Sequence, residues 1–285
     1  MGKKIALLGG DLRQVRLAEL FAYDGWEVVT WGLEKGRGIH PVPLDRVLDC
    51  AVLVLPLPVL KGGHWNLPLT DTVIAPDEIW KKIQPGQLLL GGAWGSLADT
   101  IRREYGLDPV DYYEREDVQI ANAVPTAEGA IMRMMEVTEH TVQGSCCLVL
   151  GYGRIGKALA LRLQALGAAV TVAARKISDL AWIGVWGLRA VSMSEVLTQP
   201  DDFDVIFNTV PAQVLDAERI RRIRPGTLLV ELASTPGGFD KNAVKENNLH
   251  IIEEPGLPGK VAPLSAACAI KNGIMEILRE RGETV

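Results

Sequence analysis

The sequence predicts an α/β protein made of two doubly wound parallel-sheet domains, with a connecting helix between them and a C-terminal helix crossing back to the first. Short apolar runs alternate with helical patterns from Ile5 to Tyr113, and the alternation returns from Cys147 to Glu253. Two further helical stripes, after Pro125 and after Pro263, stand outside both successions. Strands that alternate with helices pair in parallel, because each connection must cross over the sheet and cover its face.

In the first succession Ile5–Leu8, Val28–Trp31, Ala51–Leu55, Leu88–Leu90 and Val110–Tyr112 read as strands. Around Val15–Tyr23, Ile79–Ile83 and Ala98–Tyr105 apolar residues recur at three- and four-residue steps, which predicts helices. Pro125–Thr138 sets Ala127, Ala130, Ile131, Met134 and Met135 on one helical face with Thr126 as a cap, and reads as the connecting helix. The second succession has strands at Cys147–Leu150, Val170–Ala173, Arg189–Val191, Val205–Asn208, Leu228–Glu231 and Ile251–Glu253, and its longest helix at Gly156–Leu166. After Pro263, Ala267, Ile270, Ile274, Ile277 and Leu278 form a stripe that needs another surface to bury it. The expected division is residues 1–138 completed by 262–285, and residues 139–261.

The 285 residues are 48% hydrophobic and 23% charged, enough apolar surface for a core. A net charge of −5 supplies no general attraction for nucleic acid or an anionic membrane. Arg219, Arg221, Arg222 and Arg224 follow apolar residues at helical spacing and read as the cationic end of a helix, not as a nucleic-acid patch. Cys50, Cys146, Cys147 and Cys268 lack a Cys-x-x-Cys spacing and read as reduced thiols; the four histidines have no partners at metal-ligand spacing, so no metal is expected. The apolar run after Lys3 and Lys4 is too short for a signal peptide, and no run reaches a membrane span of about 20 residues. The expected location is the cytoplasm.

The most informative segment is Gly151-Tyr152-Gly153-Arg154-Ile155-Gly156, set between the strand Leu148–Leu150 and a helix. Its first glycine permits a tight turn, its second a close approach of backbone to pyrophosphate, its third close helix–strand packing. The helix N-terminus then offers N–H groups and its dipole to the phosphates. This predicts a Rossmann-like dinucleotide site. At the end of the next strand, where an acid usually holds the ribose of NAD, the chain reads Ala174-Arg175-Lys176. Two cations favour the 2′-phosphate of NADP over NAD; the competing reading is a solvated loop. Asn208-Thr209-Val210-Pro211, and Ser234 in the loop Ala233–Gly238, stand at the ends of later strands and are expected to line the nicotinamide side, or else are ordinary turns. The first domain opens on Gly9-Gly10-Asp11-Leu12-Arg13-Gln14, which lacks the full fingerprint. Asp11, Arg13 and Gln14 suit a small carboxylated substrate, or else Asp11 caps a helix and Arg13 is a surface charge.

Gly9-Gly10-Asp11-x-Arg13-Gln14, Asn122–Gly129, the fingerprint at 151–156, Ala233-Ser234-x-Pro236-Gly237-Gly238 and Leu257-Pro258-Gly259-Lys260-Val261-Ala262-Pro263 together resemble the A-subunit family of dipicolinate synthase over nearly the whole chain. The resemblance implies oxidation of a dihydrodipicolinate by NADP, the last step to dipicolinic acid in endospore formers. It also implies a partner, the flavoprotein-like B subunit of the synthase, with action in the mother-cell cytosol during sporulation; self-association into a homo-oligomer is left open. Arg13 and Lys260 are the candidates for the two substrate carboxylates, with Asp11, Gln14 and Thr126 beside them. No general base is identifiable, so the catalytic residues stay unassigned. A D-2-hydroxyacid dehydrogenase would share the layout, but its Arg after the fifth strand and its His before the last helix are missing from Ser234–Gly238 and Ala262–Ser265. A non-catalytic NADP-binding regulatory protein is the other alternative.

Overall fold

A computed structural model of the chain describes residues 3–196, 198 and 202–282. The chain divides into two compact units, one of Met1–Asn122 with Pro258–Val285 and one of Ala123–Leu257.

The first unit runs β1 (Lys4–Leu8), α1 (Leu12–Tyr23), β2 (Glu27–Trp31), α2 (Leu44–Leu48), β3 (Val52–Val54), β4 (Leu60–Lys61), β5 (His64–Trp65), α3 (Pro76–Trp80), β6 (Leu88–Gly91), α4 (Leu97–Tyr105) and β7 (Pro109–Asp111). Its main sheet has the order β2-β1-β3-β6-β7, parallel throughout, while β4 and β5 form a separate antiparallel hairpin. Counting only the strands of the main sheet, this is 2-1-3-4-5, one of the two common doubly wound orders. Its central strands β1, β3 and β6 are buried on both faces because helices cover both.

Helix α5 (Glu116–Val137) leads into the second unit. Here the sequence expectation is corrected. The helix begins nine residues before Pro125, which lies inside it, so Thr126 is an interior residue and not a cap. Proline removes one N–H from the helical ladder, that directed at the Ala121 carbonyl, yet the helix continues through it. The unit boundary accordingly falls within α5, after Asn122, instead of at its end.

The second unit contains β8 (Cys146–Leu150), α6 (Arg154–Ala165), β9 (Ala169–Ala174), α7 (Ile177–Val185), β10 (Arg189–Ser192), β11 (Val205–Asn208), α8 (Ala217–Ile220), β12 (Leu228–Glu231), α9 (Lys241–Glu246) and β13 (His250–Glu253). The six strands are parallel in the order β10-β9-β8-β11-β12-β13. Renumbered within the unit this is 3-2-1-4-5-6, whose switch point lies between β8 and β11. Three of the four arginines in and just after α8 are engaged locally: Arg219 donates to the Val214 and Ser194 carbonyls, Arg222 pairs with Glu218 and Arg224 with Asp204.

Helix α10 (Leu257–Val261) returns the chain to the first unit, where α11 (Pro263–Glu280) ends the described fold. The stripe Ala267, Ile270, Ile274, Ile277 and Leu278 joins Leu17 and Phe21 of α1 and Ile5 and Leu7 of β1 in one core. Ion pairs Lys271–Asp24 at 2.5 Å and Arg115–Glu280 at 2.9 Å flank it. Among the described residues no helix is long and apolar enough to cross a membrane, and no three His, Cys, Asp or Glu side chains gather as a metal site.

Candidate functional site

The three fingerprint glycines are bare for different reasons. Gly151 turns the chain at φ +99, where side chains are disfavoured, and a Cβ there would stand 2.5 Å from Thr209 Oγ1. A Cβ on Gly156 would stand 2.1 Å from the Gly151 carbonyl oxygen, so α6 packs on the turn only without one. Gly153 has an ordinary φ of −78, and a Cβ on it would meet nothing within 4 Å. The fold therefore requires the first and third glycines, while the second leaves backbone open to a ligand. Gly153 is also the N-cap of α6, and no side chain caps that helix. Its first-turn amides and its dipole thus remain for an anion.

Arg175 and Lys176 follow β9, the neighbour of β8, and the Gly151 N–H donates to the Ala173 carbonyl at 2.9 Å. Both cations are exposed, and neither pairs with a described residue. Lys157, one turn along α6, lies 5.2 Å from the centre of the buried Tyr152 ring and covers the loop from another side. An open glycine, an uncapped helix start and two unpaired cations at the end of the second strand fit a nicotinamide dinucleotide.

At the carboxyl ends of β11 and β12 the chain places a polar pair in an otherwise apolar sheet. Asn208 and Glu231 are register partners, 0% and 8% exposed. Asn208 Nδ2 donates to Glu231 Oε1 at 2.6 Å and to the Val210 carbonyl at 2.9 Å, and Asn208 Oδ1 accepts from the Val210 N–H at 3.1 Å. Glu231 also accepts from the Ala233 N–H at 3.0 Å and the Gly238 N–H at 2.7 Å. Burial pushes the Glu231 carboxyl above its ordinary value; the hydrogen bonds from Gly238, Asn208 and Ala233 offset part of that rise. Thr209 is tied back to the fingerprint, its N–H and hydroxyl both donating to the Leu150 carbonyl at 3.0 and 2.8 Å.

The corresponding turn of the first unit is filled by the chain itself. The Gly9 N–H donates to the Trp31 carbonyl and the Gly10 N–H to the Asn66 carbonyl, and a Cβ on Gly9 would stand 2.2 Å from Leu67 Cδ2. The segment after the β4–β5 hairpin thus occupies the glycine turn. Asp11 caps α1, accepting from the Arg13 N–H, and its carboxylate also receives Arg13 Nε and Nη2 at 2.9 and 2.8 Å. Arg13 is 7% exposed, and its Nη2 also donates to the Leu57 carbonyl at 2.5 Å. It is a buried, internally paired cation and not a surface charge. Gln14, 2% exposed, donates to the Leu55 carbonyl at 2.8 Å, while its Oε1 is buried with no hydrogen-bond partner. Gly259 packs directly on this pair: a Cβ on it would stand 2.6 Å from Asp11 Oδ2 and 3.0 Å from Arg13 Nε.

The family model for the N-terminal domain of the dipicolinate synthase A subunit matches residues 4–113, and that for the NAD-binding domain of D-isomer-specific 2-hydroxyacid dehydrogenases matches residues 117–244. The A subunit of dipicolinate synthase from Bacillus subtilis (strain 168) is 29% identical over 288 residues, which span 98% of this chain and 97% of that protein. Crystal structures of the dipicolinate synthase A subunit from Bacillus halodurans and of its counterpart from Bacillus subtilis superpose with TM-scores of 0.89 and 0.85. Each is 28% identical and covers 98% of this chain; the alignment spans 98% of the first structure's chain and 97% of the second's. Over nearly its whole length the chain is thus similar to A subunits of dipicolinate synthase. Its second unit is a dehydrogenase-type domain for a nicotinamide dinucleotide, which gives the chain an oxidoreductase-like architecture.

The structure brings together Gly151, Gly153, Arg154, Ile155 and Gly156 with Arg175 and Lys176 on one side, and ties Thr209 and Val210 to the same turn. Pro211 and Ser234 are exposed in the loops after β11 and β12. Asp11, Arg13 and Gln14 share one turn with Gly259, next to the exposed Lys260; Thr126 is buried in the other unit. Sequence reasoning placed Asn208 in the loop segment after its strand but passed over Glu231 and the pairing of the two side chains. Their signal was present: Val205-Ile206-Phe207 and Leu228-Leu229-Val230 each end on a polar residue inside a sheet buried on both faces.

Proposed function

We propose that this chain is a dipicolinate synthase A subunit that binds NADP(H) and oxidises a dihydrodipicolinate to dipicolinate, acting with the flavoprotein-like B subunit. The carrying observation is the open Gly153 at an uncapped helix start beside the unpaired Arg175 and Lys176. The α6 amides hold the pyrophosphate, and Arg175 and Lys176 hold the 2′-phosphate that distinguishes NADP from NAD. When bound, NADP+ supplies a hydride acceptor, and loss of hydride and a proton aromatises the dihydropyridine ring.

The protein's remaining task is to hold a ring with two carboxylates. Lys260 supplies an exposed ammonium for one. Arg13, with Nε and Nη2 committed to Asp11 and Leu57, presents Nη1 to the other. Asp11 thereby acts as the group that fixes the guanidinium plane, and the glycine at 259 lets α10, which carries Lys260, approach it. Gln14 keeps a buried acceptor free at the same turn.

Two measurements test the reading. Arg175→Ala is expected to weaken NADP(H) about tenfold or more while changing NAD(H) little, as loss of one charge-assisted phosphate contact implies; equal effects on both cofactors refute the phosphate assignment. NADPH formation with freshly generated dihydrodipicolinate is followed by absorbance, with the chain alone and with its partner. Tight NADP binding without turnover in either mixture points to a non-catalytic NADP-binding role, and turnover of a simple 2-hydroxyacid points to hydroxyacid chemistry.

A further inference from the structure

We propose that Asn208 and Glu231 form a positioning pair for the nicotinamide half of the dinucleotide, a role that rests on the dinucleotide reading of the second unit. In a 3-2-1-4-5-6 sheet the dinucleotide crosses the switch point, its adenosine half on the side of the first two strands and its nicotinamide half on the side of the fourth and fifth. Here those strands are β8 and β9 on one side and β11 and β12 on the other. The adenosine side is shaped by Gly151, Gly156 and α6. On the other side, two loops, 209–211 and 233–238, leave adjacent strands, and no helix starts directly at either strand end as α6 does after Gly153: α8 begins at Ala217 and α9 at Lys241.

The pair does what a helix start would otherwise do. Asn208 holds both the N–H and the carbonyl of Val210, which sets the first loop. Glu231 holds the N–H groups of Ala233 and Gly238, the two ends of the second loop. The 2.6 Å bond between the two side chains locks the loops to each other. The glycines around them are shaped to admit the pair: a Cβ on Gly238 would stand 2.4 Å from Asn208 Nδ2, and one on Gly237 2.8 Å from Glu231 Oε2. A buried carboxylate that accepts from two backbone amides and one side chain, in a strand position ordinarily apolar, is an expensive arrangement for sheet stability alone. Four backbone groups of two ligand-facing loops are what it secures.

The two halves of the cofactor can be titrated separately. Full-length Glu231→Gln, which turns one acceptor into a donor facing a backbone N–H, and full-length Asn208→Ser are compared with the unaltered chain in binding NADPH and adenosine 2′,5′-bisphosphate by calorimetry. The fluorescence of bound NADPH reports the surroundings of its nicotinamide. Both variants are expected to bind adenosine 2′,5′-bisphosphate within about twofold of the unaltered chain, to lose about tenfold or more in NADPH affinity, and to lose the fluorescence change on binding. Retained bisphosphate binding also certifies that a variant is folded. Equal loss of both ligands in both variants, or no loss of NADPH affinity in either, overturns the positioning role. If the unaltered chain prefers NADH, only the phosphate assignment fails, and the pair is tested in the same way with NADH and ADP. If the unaltered chain binds no dinucleotide at all, the dinucleotide reading and the positioning role fall together.

Discussion

Gly153 and Gly156 lie three residues apart, yet an added methyl group has opposite consequences at each. Gly156→Ala pushes a Cβ into the Gly151 carbonyl and is expected to cost about 1–3 kcal/mol of stability by overpacking, measured by urea unfolding. Gly153→Ala meets no protein atom and is expected to change stability by less than about 1 kcal/mol. Its NADP(H) affinity is nevertheless expected to fall about tenfold or more by calorimetry, because the methyl occupies the ligand's space. Unchanged affinity in Gly153→Ala would remove the ligand explanation of that glycine. In the first unit, Asp11→Ala strips the partner from a buried guanidinium and is expected to cost about 2–3 kcal/mol in the same unfolding experiment. Glu231 makes a pH prediction. Because its folded carboxyl binds its proton more tightly than the ordinary 4.5, stability from this group is greatest below that pH. It declines as pH rises through the interval up to the raised folded value, and Glu231→Gln is expected to flatten that stretch of the stability–pH curve. Cys147, pushed up to about 12 by burial with smaller contributions from Asp204 and Cys146, is expected to resist alkylation in the native chain at neutral pH and to react on unfolding.

At the scale of elements, the central strands of both main sheets were legible because each is a short apolar run between turn residues, the form that double burial imposes. Helix α6 and the fingerprint were legible for the same reason of context. The hairpin β4–β5 was not: two strands of two residues carry no period, although Gly62-Gly63 between them is a known hairpin signal. The first nine residues of α5 were hidden by Pro125, whose usual place at a helix start outweighed the weak pattern before it. The Asp11–Arg13 pair could be named from sequence, but its burial depends on Leu57 and Gly259, contacts that no local pattern encodes. The stripe of α11 was read correctly as needing a foreign surface, and α1 and β1 supply it. Ile274→Ala, at a fully buried position, is expected to cost about 2–4 kcal/mol, and Leu264→Ala, exposed on the same helix, less than about 0.5 kcal/mol. Similar losses at both positions would contradict the packing described for this helix.

At the scale of the whole molecule, the first unit is interrupted by the second and is completed only by residues after Leu257. Truncation after Leu257 removes the α11 stripe from a core that contains Ile5, Leu7, Leu17 and Phe21. Limited proteolysis of the truncated chain is expected to digest the N-terminal segment while a fragment near residues 123–257 survives and still binds NADP(H). Survival of an intact N-terminal segment would show that α11 is dispensable.

The interruption also sets a schedule for synthesis. Domains ordinarily fold in the order in which they leave the ribosome. Here the segment made first must wait, its apolar β1 and α1 uncovered, while a complete domain is translated and folds behind it. The unit whose residues come first along this chain is thus the last to be finished, and its earliest apolar segments stay uncovered the longest.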